Sequence, residues 1–587
     1  MWRINRPLAA TWIVLSAIGP LLPTVLAIAV GVVVGQIPGV VHRGFGSPAG
    51  HRIAHAAFAM AVIMVLGDVI DMTRWRCSDL LGIRLRADQH QRIVAAMLGP
   101  AGVAHADDPE VQDAVAGADS VWLRSLPDGV MNVAGTRMGG YGGAVLLARY
   151  EPVAAVALTV AWVIAGRWKW RRAAEDAKAN LGEIRDMRRS AATAELAMSA
   201  RAAKEVRLFG LGEWLGARFA REWRHAMAEI WRRRHGGFGE GAAVIGVLAA
   251  AHVVSLVVLA HAAASGHLSL TGLTIALQGV LATRGIGAVP YGFHQLQYGL
   301  SAVPEMERLD ALVRAVPDLP GDAPAPTLRT AIRLDDVRFR YPRAGSEVLS
   351  GVSFDIPYGC STAIVGENGA GKSTLIQLLC RLRDPTGGHI TVDDVDLATV
   401  DPTSWQQAVA SVSQQALRLP LSVEENLSGS RHVDEKVLHD AVEAAQARDI
   451  VAGLPQGWAT TLSREFDGGG ELSGGQWQRL ALARALAALW SGAQLLVLDE
   501  PSAHLDVRAE ADLYNRFLEL TRGRTSILVS HRFSTVRRAE HIVVIEAGQV
   551  VEEGTHDSLI SAGGRYARLF GLQASRFADP DQDEVVA

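Results

Sequence analysis

Long apolar runs alternate with polar, arginine-rich stretches through the first half of the chain. A helix of about 20 apolar residues crosses a bilayer, and six runs predict such helices. They lie at residues 8–35, 53–72, 130–148, 152–165, 239–262 and 268–290. The pattern therefore predicts a membrane domain of six helices over residues 1–315.

The two long polar stretches, residues 74–128 and 167–234, are rich in Ala, Arg, Glu and Leu and contain few helix breakers. We expect the membrane helices to continue through them as long cytoplasmic extensions. Because Lys and Arg favour the cytoplasmic side of a membrane, both stretches and both termini are predicted to lie in the cytoplasm. This topology predicts a multi-pass protein of the plasma membrane. Segments 107–118 and 205–212, where the chain must turn back, are the expected points of coupling to a soluble domain.

The pattern changes after a connector at residues 316–330, which contains four prolines. From residue 331 short apolar strands alternate with helical segments, which indicates a mainly parallel sheet with helices on its faces. The sequence predicts a cytoplasmic α/β domain over residues 331–575, followed by a tail at 576–587. The fold class expected from these patterns is a six-span α-helical membrane domain followed by a cytoplasmic α/β domain.

Charge and cysteine content exclude some functions. The formal net charge of −4 over 587 residues gives no general affinity for nucleic acid, so no nucleic-acid partner is expected. Three scattered cysteines, Cys77, Cys360 and Cys380, are too few for a disulfide framework or a cysteine metal site.

Residues 366–374 fit the phosphate-loop pattern G-x-x-x-x-G-K-[ST] and lie between a predicted strand, 361–365, and a predicted helix, 375–382. Glycines let successive backbone N–H groups turn toward one anion at a helix N-terminus. Lys372 is expected to reach the β- and γ-phosphates of ATP, and Ser373 to offer a hydroxyl to Mg²⁺. The loop predicts that the α/β domain is a P-loop ATPase domain. The predicted ATP contacts in this loop are Gly366, Asn368, Gly369, Ala370, Gly371, Lys372, Ser373 and Thr374.

A second candidate is the hydrophobic strand at residues 495–498, which ends in Asp499 and Glu500. By itself this pattern fits a strand end followed by the acids of a helix start. With a phosphate loop in the same domain, it predicts that Asp499 holds Mg²⁺ and that Glu500 orients a water in line with the γ-phosphate.

The run Leu-Ser-Gly-Gly-Gln at 472–476 opens a strongly helical segment and is similar to the signature motif of ATP-binding cassette (ABC) transporters. The resemblance to the nucleotide-binding domain of that family covers residues 332–572 densely and reaches the six spans only by layout. It implies that the signature of one subunit faces the phosphate loop of another, so that a second subunit is required. The signature residues expected at the partner's ATP are Ser473, Gly474, Gly475 and Gln476.

The same resemblance implies roles for four further residues. Tyr341 matches the aromatic residue that stacks on adenine, and Gln414 matches a glutamine that contacts Mg²⁺. Asp506 matches the acid of a loop that crosses to the partner subunit, and His531 matches a histidine at the γ-phosphate. His531 and Glu500 are the expected catalytic residues. The tract 464–468, which precedes the signature motif, follows the usual exporter sequence only approximately. A contact of this tract with the membrane domain is therefore not assigned.

The layout of spans ahead of the ATPase resembles the exporter branch of the family. It implies an ATPase whose hydrolysis of ATP drives alternating access of a dimer, for which we favour two identical half-transporter subunits. A modified peptide is the first cargo candidate, because residues 204–212 resemble exporters found near genes for peptide natural products. A lipid or hydrophobic drug, import on an exporter-like fold, and a soluble ATPase with a membrane tether are the alternatives.

Charged residues inside predicted spans mark a candidate cargo site. Asp68, Asp71, Arg137 and Arg284 fall near one depth, toward the cytoplasmic end of the spans. One interpretation is that these side chains reach the aqueous interface. The other is a charged ring around an inward-facing cavity, with Asp68 and Arg284 as a pair.

Overall fold

The structure is a computed structural model of the chain. It describes residues 5–119, 121–182, 184–199, 202–234, 238–316, 318–342, 344–413, 417–499, 519–530 and 533–578. The chain divides into two compact units, Met1–Ala96 with Pro109–Leu312, and Met97–Asp108 with Val313–Ala587. A short segment of the first half, Met97–Asp108, thus belongs to the second unit.

The first unit is helical. Its helices are α1 (Arg6–Ile18), α2 (Leu22–Arg43), α3 (Pro48–Leu98), α4 (Pro109–Ala118), α5 (Leu126–Tyr150), α6 (Pro152–Gly182), α7 (Ile184–Met198), α8 (Ala203–Leu208), α9 (Gly212–Arg234), α10 (Phe238–Ala264), α11 (Leu270–Ala282) and α12 (Gly292–Ala315). Two 3-10 turns, Gly19–Leu21 and Thr283–Gly287, interrupt the helical path after α1 and after α11. As predicted, the second apolar run continues without a break into the polar stretch, since α3 is 51 residues long.

Five helical stretches of the described chain are long and apolar enough to cross a membrane. They are Arg6–Arg43, Pro48–Leu98, Pro152–Glu175, Gly239–Ala264 and Leu270–Ala315. Helix α5, which contains the third predicted span, is long enough at 25 residues but is not among them. Arg137 and a series of glycines dilute its apolar character, so the expected sixth span lacks the composition of the other five.

The glycines of α5 allow backbones to pack closely. A methyl group at Gly143 would lie 2.4 Å from Cβ of Ala282, and one at Gly279 would lie 2.8 Å from the carbonyl oxygen of Gly143. Helices α5 and α11 therefore contact each other nearly backbone to backbone, as small residues permit in membrane helices. This packing sets the position of the 3-10 turn that follows α11.

The second unit contains two sheets. Its strands are β1 (Ala331–Phe339), β2 (Leu349–Pro357), β3 (Ser361–Val365), β4 (Gly387–Val392), β5 (Val395–Asp396), β6 (Val409–Val412), β7 (Leu495–Asp499), β8 (Thr525–Val529), β9 (His541–Glu546) and β10 (Gln549–Gly554). The antiparallel sheet has the order β2-β1-β4-β5, and the larger sheet the order β10-β9-β3-β8-β7-β6. In the larger sheet β9, β3, β8, β7 and β6 are parallel, which confirms the predicted mainly parallel sheet.

The helices of this unit are α13 (Lys372–Leu379), α14 (Pro402–Gln407), α15 (Val423–Ser428), α16 (Glu435–Ala444), α17 (Arg448–Ala452), α18 (Gly474–Trp490), α19 (Phe533–Val536), α20 (His556–Ala562) and α21 (Arg565–Ala578). Side chains alternate between the two faces of a strand. On β7, Leu495 and Val497 pack in the same core cluster as α13, whereas Leu496 and Leu498 pack with α18. Helices α13 and α18 therefore cover opposite faces of the larger sheet.

Candidate functional site

The phosphate-loop sequence connects β3, in the middle of the larger sheet, to α13. Gly369 and Gly371 have φ angles of 83° and 101°, in the left-handed region that favours glycine. A Cβ at Gly371 would also lie 2.6 Å from Cδ2 of Leu349. Because α13 begins directly after Gly371, its free N–H groups and positive end face the loop, as an anion site requires.

Lys372 lies inside the loop. Its side chain is buried, and its Nζ donates hydrogen bonds of 2.9 Å to the carbonyl oxygens of Gly366 and Glu367. The ammonium group therefore sits at the loop backbone, where it can meet a phosphate. Ser373 is exposed, whereas Thr374 and Ala370 are buried, so of the two hydroxyls the Ser373 hydroxyl faces outward.

Asp499 ends β7, which is separated from β3 by one strand, β8. Adjacent strands are about 4.8 Å apart, so the end of β7 lies about 10 Å from the end of β3. Burial and, to a smaller extent, the charge of Asp499 together raise the pKa of the Cys380 thiol to about 12. Cys380 therefore stays protonated beside this carboxylate. A serine hydroxyl and a carboxylate at one sheet edge are oxygen donors of the kind that Mg²⁺ prefers.

Tyr341 lies beside the first turn of α13. Its hydroxyl forms a 3.1 Å hydrogen bond with Oγ1 of Thr374, and its ring packs edge-to-face on Phe339 with 5.0 Å between centroids. The guanidinium carbon of Arg383 lies 5.1 Å from the centre of the Tyr341 ring. The structure thus brings the aromatic residue predicted for adenine next to the phosphate loop.

Arg383 also contacts the segment 97–108. Its guanidinium pairs with Asp107, and its Nε donates a 3.0 Å hydrogen bond to Oε1 of Gln377. The Val103 amide donates to the carbonyl oxygen of Leu382 at 3.0 Å. The segment is therefore attached to the end of α13 by backbone and side-chain contacts.

Of the two predicted coupling segments, 107–118 overlaps Met97–Asp108, the segment that belongs to the second unit, only at residues 107 and 108, and α4, which follows it, belongs to the first unit. A local signal was present. Pro100 and two flanking glycines end the long helix α3 at Leu98 and start a turn. The sequence-based prediction relied instead on the acidic residues at the start of α4.

The signature residues cap α18. Ser473 Oγ accepts a 3.3 Å hydrogen bond from the backbone N–H of Gln476, and Gln476 Oε1 accepts one of 2.8 Å from the backbone N–H of Ser473. This reciprocal capping box holds Gly474 and Gly475 in the first turn. Because α18 and α13 cover opposite faces of the larger sheet, the signature and the phosphate loop of one chain open helices on opposite faces. Four predicted site residues, Gln414, Glu500, Asp506 and His531, lie outside the described residues.

The first unit contains an open cavity of about 810 Å³. Asp71 and Arg284 line it, together with Arg74 and Lys169, which the sequence analysis did not single out. Asp68 is not among the described lining residues. Arg137 instead lines a neighbouring pocket of about 400 Å³, with its guanidinium carbon 4.6 Å from the centre of the Trp170 ring. The structure therefore keeps two of the four predicted charges in one cavity.

Comparison with known proteins agrees with this architecture. Residues 349–503 match the family model described as ABC transporter. An ATP-dependent lipid A-core flippase of Chromohalobacter salexigens is 38% identical over 280 residues, which make up 47% of this chain and 47% of the flippase. ABC transporter B family member 28 of Arabidopsis thaliana is 41% identical over 248 residues, 42% of this chain and 34% of that protein. The chain thus matches less than half the length of these curated relatives.

A solved structure extends the likeness to the whole chain. The structure of a bacterial Atm1-family ABC exporter with ATP bound superposes with a TM-score of 0.72 at 25% sequence identity, covering 97% of this chain and 99% of that one. The apolar helices of the present chain, together with this fold, make it a multi-pass membrane protein. The chain therefore contains an ABC transporter domain and has the fold of an exporter-type ABC half-transporter, with the apolar helices and the α/β ATPase domain fused in one polypeptide.

Proposed function

We propose that this protein is an ATP-driven exporter that works as a dimer of two copies of the chain. The observation that carries the proposal is the phosphate loop, built at the centre of a parallel sheet within a chain that has an exporter fold along nearly its whole length. The solved exporter to which it is similar holds ATP, which supports ATP as the nucleotide here.

We assign ATP to the phosphate loop and the first turn of α13. The loop N–H groups and Lys372 would hold the β- and γ-phosphates, and the Tyr341 ring would pack on the base. Ser373 and Asp499 would be ligands of Mg²⁺, with Gln414 as a third. When bound, Mg²⁺ neutralises charge that develops on the phosphate oxygens. Glu500 would orient the attacking water, and His531 would donate to the γ-phosphate.

The arrangement of α13 and α18 supports shared sites. The two helices cover opposite faces of one sheet, so two copies facing each other head to tail would bring the Ser473–Gln476 turn of each to the loop of the other. Asp506 would act across the same interface. A symmetric dimer of one chain gives two equal sites and needs no second gene product.

The segment 97–108 supports coupling of nucleotide to the helices. It lies between α3 and α4 in sequence but is attached to the end of α13 through Leu382 and Arg383. Arg383 contacts both Asp107 and the Tyr341 ring, so a change at the base would be transmitted to a segment that continues directly into two helices of the first unit. We place this segment, both termini and the ATPase domain on the cytoplasmic side of the plasma membrane.

We propose a lipid as the cargo class. Several relatives are named lipid A-core flippases, although each match covers less than half of either chain. A modified peptide remains the second candidate, because the resemblance of residues 204–212 to peptide exporters is independent of the flippase matches.

Reconstituted protein tests the proposal. The purified chain in liposomes should hydrolyse ATP only with Mg²⁺ and should move a labelled lipid across the bilayer, while Lys372→Ala should lose both activities. Absence of Mg²⁺-dependent hydrolysis in the wild type would refute the ATPase assignment. Hydrolysis with movement of a labelled peptide, and not of any lipid in the panel, would replace the lipid by the second candidate.

A further inference from the structure

The cavity of about 810 Å³ in the first unit is a site that the nucleotide chemistry does not use. Its volume is that of a pocket for a ligand of drug size or larger. The 3-10 turn after α1, helices α3, α5 and α6, and the break between α11 and α12 all contribute lining residues. A break in a membrane helix beside a cavity is a common way to build a transport site.

The charges in this cavity do not balance. Four charged residues line it, namely Asp71, Arg74, Lys169 and Arg284. Asp71 and Arg74 form an ion pair of 2.7 Å on successive turns of α3, which neutralises both. Among the described residues no carboxylate forms an ion pair with Lys169 or Arg284. Two positive charges therefore face the cavity without compensation.

The backbone that carries Arg284 is fixed by packing, and the Lys169 side chain is placed by an aromatic contact, whereas the Arg284 side chain itself is exposed. Arg284 lies in the 3-10 turn Thr283–Gly287, where a Cβ at Gly285 would be 2.4 Å from the carbonyl oxygen of Thr136, so the backbone there is packed directly on α5. The Lys169 ammonium lies 5.3 Å from the centre of the Trp162 ring. A cation over an aromatic face remains available to an anion on its other side. The cavity wall thus carries one cation placed by an aromatic ring and a second cation on a fixed backbone turn.

The uncharged lining includes the polar residues Asn132 and Thr136 and an apolar part. Pro20, Pro23, Met131, Trp162 and Val289 contribute to the same cavity. Uncompensated charge is costly among apolar membrane helices unless a partner of opposite sign neutralises it. An occupant that satisfies both parts of the wall carries an anionic head and an apolar body.

We propose that this cavity receives the cargo and that the cargo is an anionic amphiphile, whose phosphate or carboxylate is bound by Lys169 and Arg284 and whose apolar part packs on the proline and methionine side. This inference rests on the proposed export function. Asp71 has the opposite role: by pairing with Arg74, it keeps a third cation from joining the anion site and lowers the positive potential of the cavity.

Binding to purified protein without nucleotide tests this assignment. The probes are fluorescent dihexanoyl phosphatidic acid, an acylated peptide ending in a free carboxylate, and an uncharged diacylglycerol with the same label. Lys169→Gln and Arg284→Gln should each weaken the anionic probes by about 10- to 100-fold and leave the uncharged probe unchanged, because a charged hydrogen-bond partner is lost. Lys169→Arg and Arg284→Lys should restore most of the affinity. Asp71→Asn should tighten the anionic probes.

The matched control is Arg149→Gln, which removes a cation near the end of α5 that does not line the cavity and should have no effect. Equal binding of the anionic and uncharged probes by the wild type, or wild-type affinity in both Gln variants, overturns the proposal. Loss of the uncharged probe together with the anionic ones, without rescue by the charge-preserving variants, also overturns it, since the residues then serve only the fold. The phosphatidic acid and peptide arms decide which source of the anion is preferred.

The failure of this inference is distinguishable from failure of the proposed function. A wild type that binds the anionic probes but lacks Mg²⁺-dependent hydrolysis contradicts the exporter assignment and leaves the anion site standing. A wild type that hydrolyses ATP but does not discriminate between the probes contradicts the anion site alone.

Discussion

Removing the Arg383 side chain should loosen the attachment of the segment 97–108 to the ATPase domain. The Arg383 side chain is 4% exposed, whereas that of its partner Asp107 is 67% exposed. Arg383 also donates to Gln377 and lies over the Tyr341 ring. The substitution Arg383→Met keeps an unbranched apolar stem of similar reach up to the guanidinium group but removes the charge and all the hydrogen bonds of the side chain.

The structure sets the magnitude. A hydrogen bond to a charged group contributes about 1.5–3 kcal/mol when both partners are buried. Because Asp107 is mostly exposed, its pairing with Arg383 is screened by solvent and should contribute about 1 kcal/mol. Loss of the Gln377 bond and the ring contact brings the expected effect of Arg383→Met to about 2 kcal/mol. Asp107→Asn should lose only the contribution of the ion pair, about 1 kcal/mol.

Hydrogen exchange of the Val103 amide measures this local stability, because that amide donates to the Leu382 carbonyl in the attachment. Exchange should accelerate about 30-fold in Arg383→Met and about fivefold in Asp107→Asn, as these free energies require. Transport should fall more than ATP hydrolysis. Arg333→Met, which breaks an exposed ion pair with Asp355, is the matched control and should leave Val103 unchanged. Unchanged exchange at Val103 in Arg383→Met would refute the attachment.

Three further predictions concern the ATPase domain. Gly371→Ala should lower ATP affinity at least about tenfold in a nucleotide-binding titration, because its φ of 101° and the nearby Leu349 exclude a methyl group; normal affinity would contradict the loop geometry. Burial pushes the pKa of Asp393 upward, but hydrogen bonds from the backbone N–H groups of 331, 330 and 329 outweigh it and hold that pKa below its ordinary value. The contribution of the Asp393 carboxylate to folding stability is therefore complete above about pH 4, its unfolded-state pKa, and is lost as the pH falls through the lower folded-state pKa. The melting temperature of Asp393→Asn should lack this dependence on acid pH. Identical pH profiles of melting temperature in the variant and the wild type would be contrary evidence. Ser473→Ala should destabilise the start of α18 by about 1 kcal/mol, which a lower melting temperature would reveal and an unchanged one would disprove.

The sequence by itself determined the parts of the site that a short stretch of chain builds alone. Gly369, Gly371 and Lys372 form their loop because the required φ angles and the following helix are encoded within nine residues. The capping box of Ser473 and Gln476 is equally local. The position of Asp499 followed from one strand ending at the edge where parallel strands meet, and the structure has that strand in the same sheet as β3.

The membrane-spanning character of α5 could not be decided from composition. The apolar run at residues 130–148 predicted a span, but the glycines and Arg137 of α5 place it below the apolar character of the other helices. Those glycines serve contact with α11, where the absence of side chains lets two backbones meet. Apolar content measures affinity for lipid, and a helix surrounded by other helices needs less of it.

Only the tertiary structure decided which distant residues meet. Lys169 is on α6 and Arg284 is in a 3-10 turn, and they join one cavity because α5 and α6 both pack closely against that turn. Asp68 and Asp71 look alike in sequence, yet only Asp71 lines the cavity among the described residues, where Arg74 neutralises it. Arg383 meets Asp107 across 276 positions of sequence. Motifs are local and are read from spacing, whereas these contacts depend on how packed helices and strands orient each side chain, which spacing along the chain does not encode.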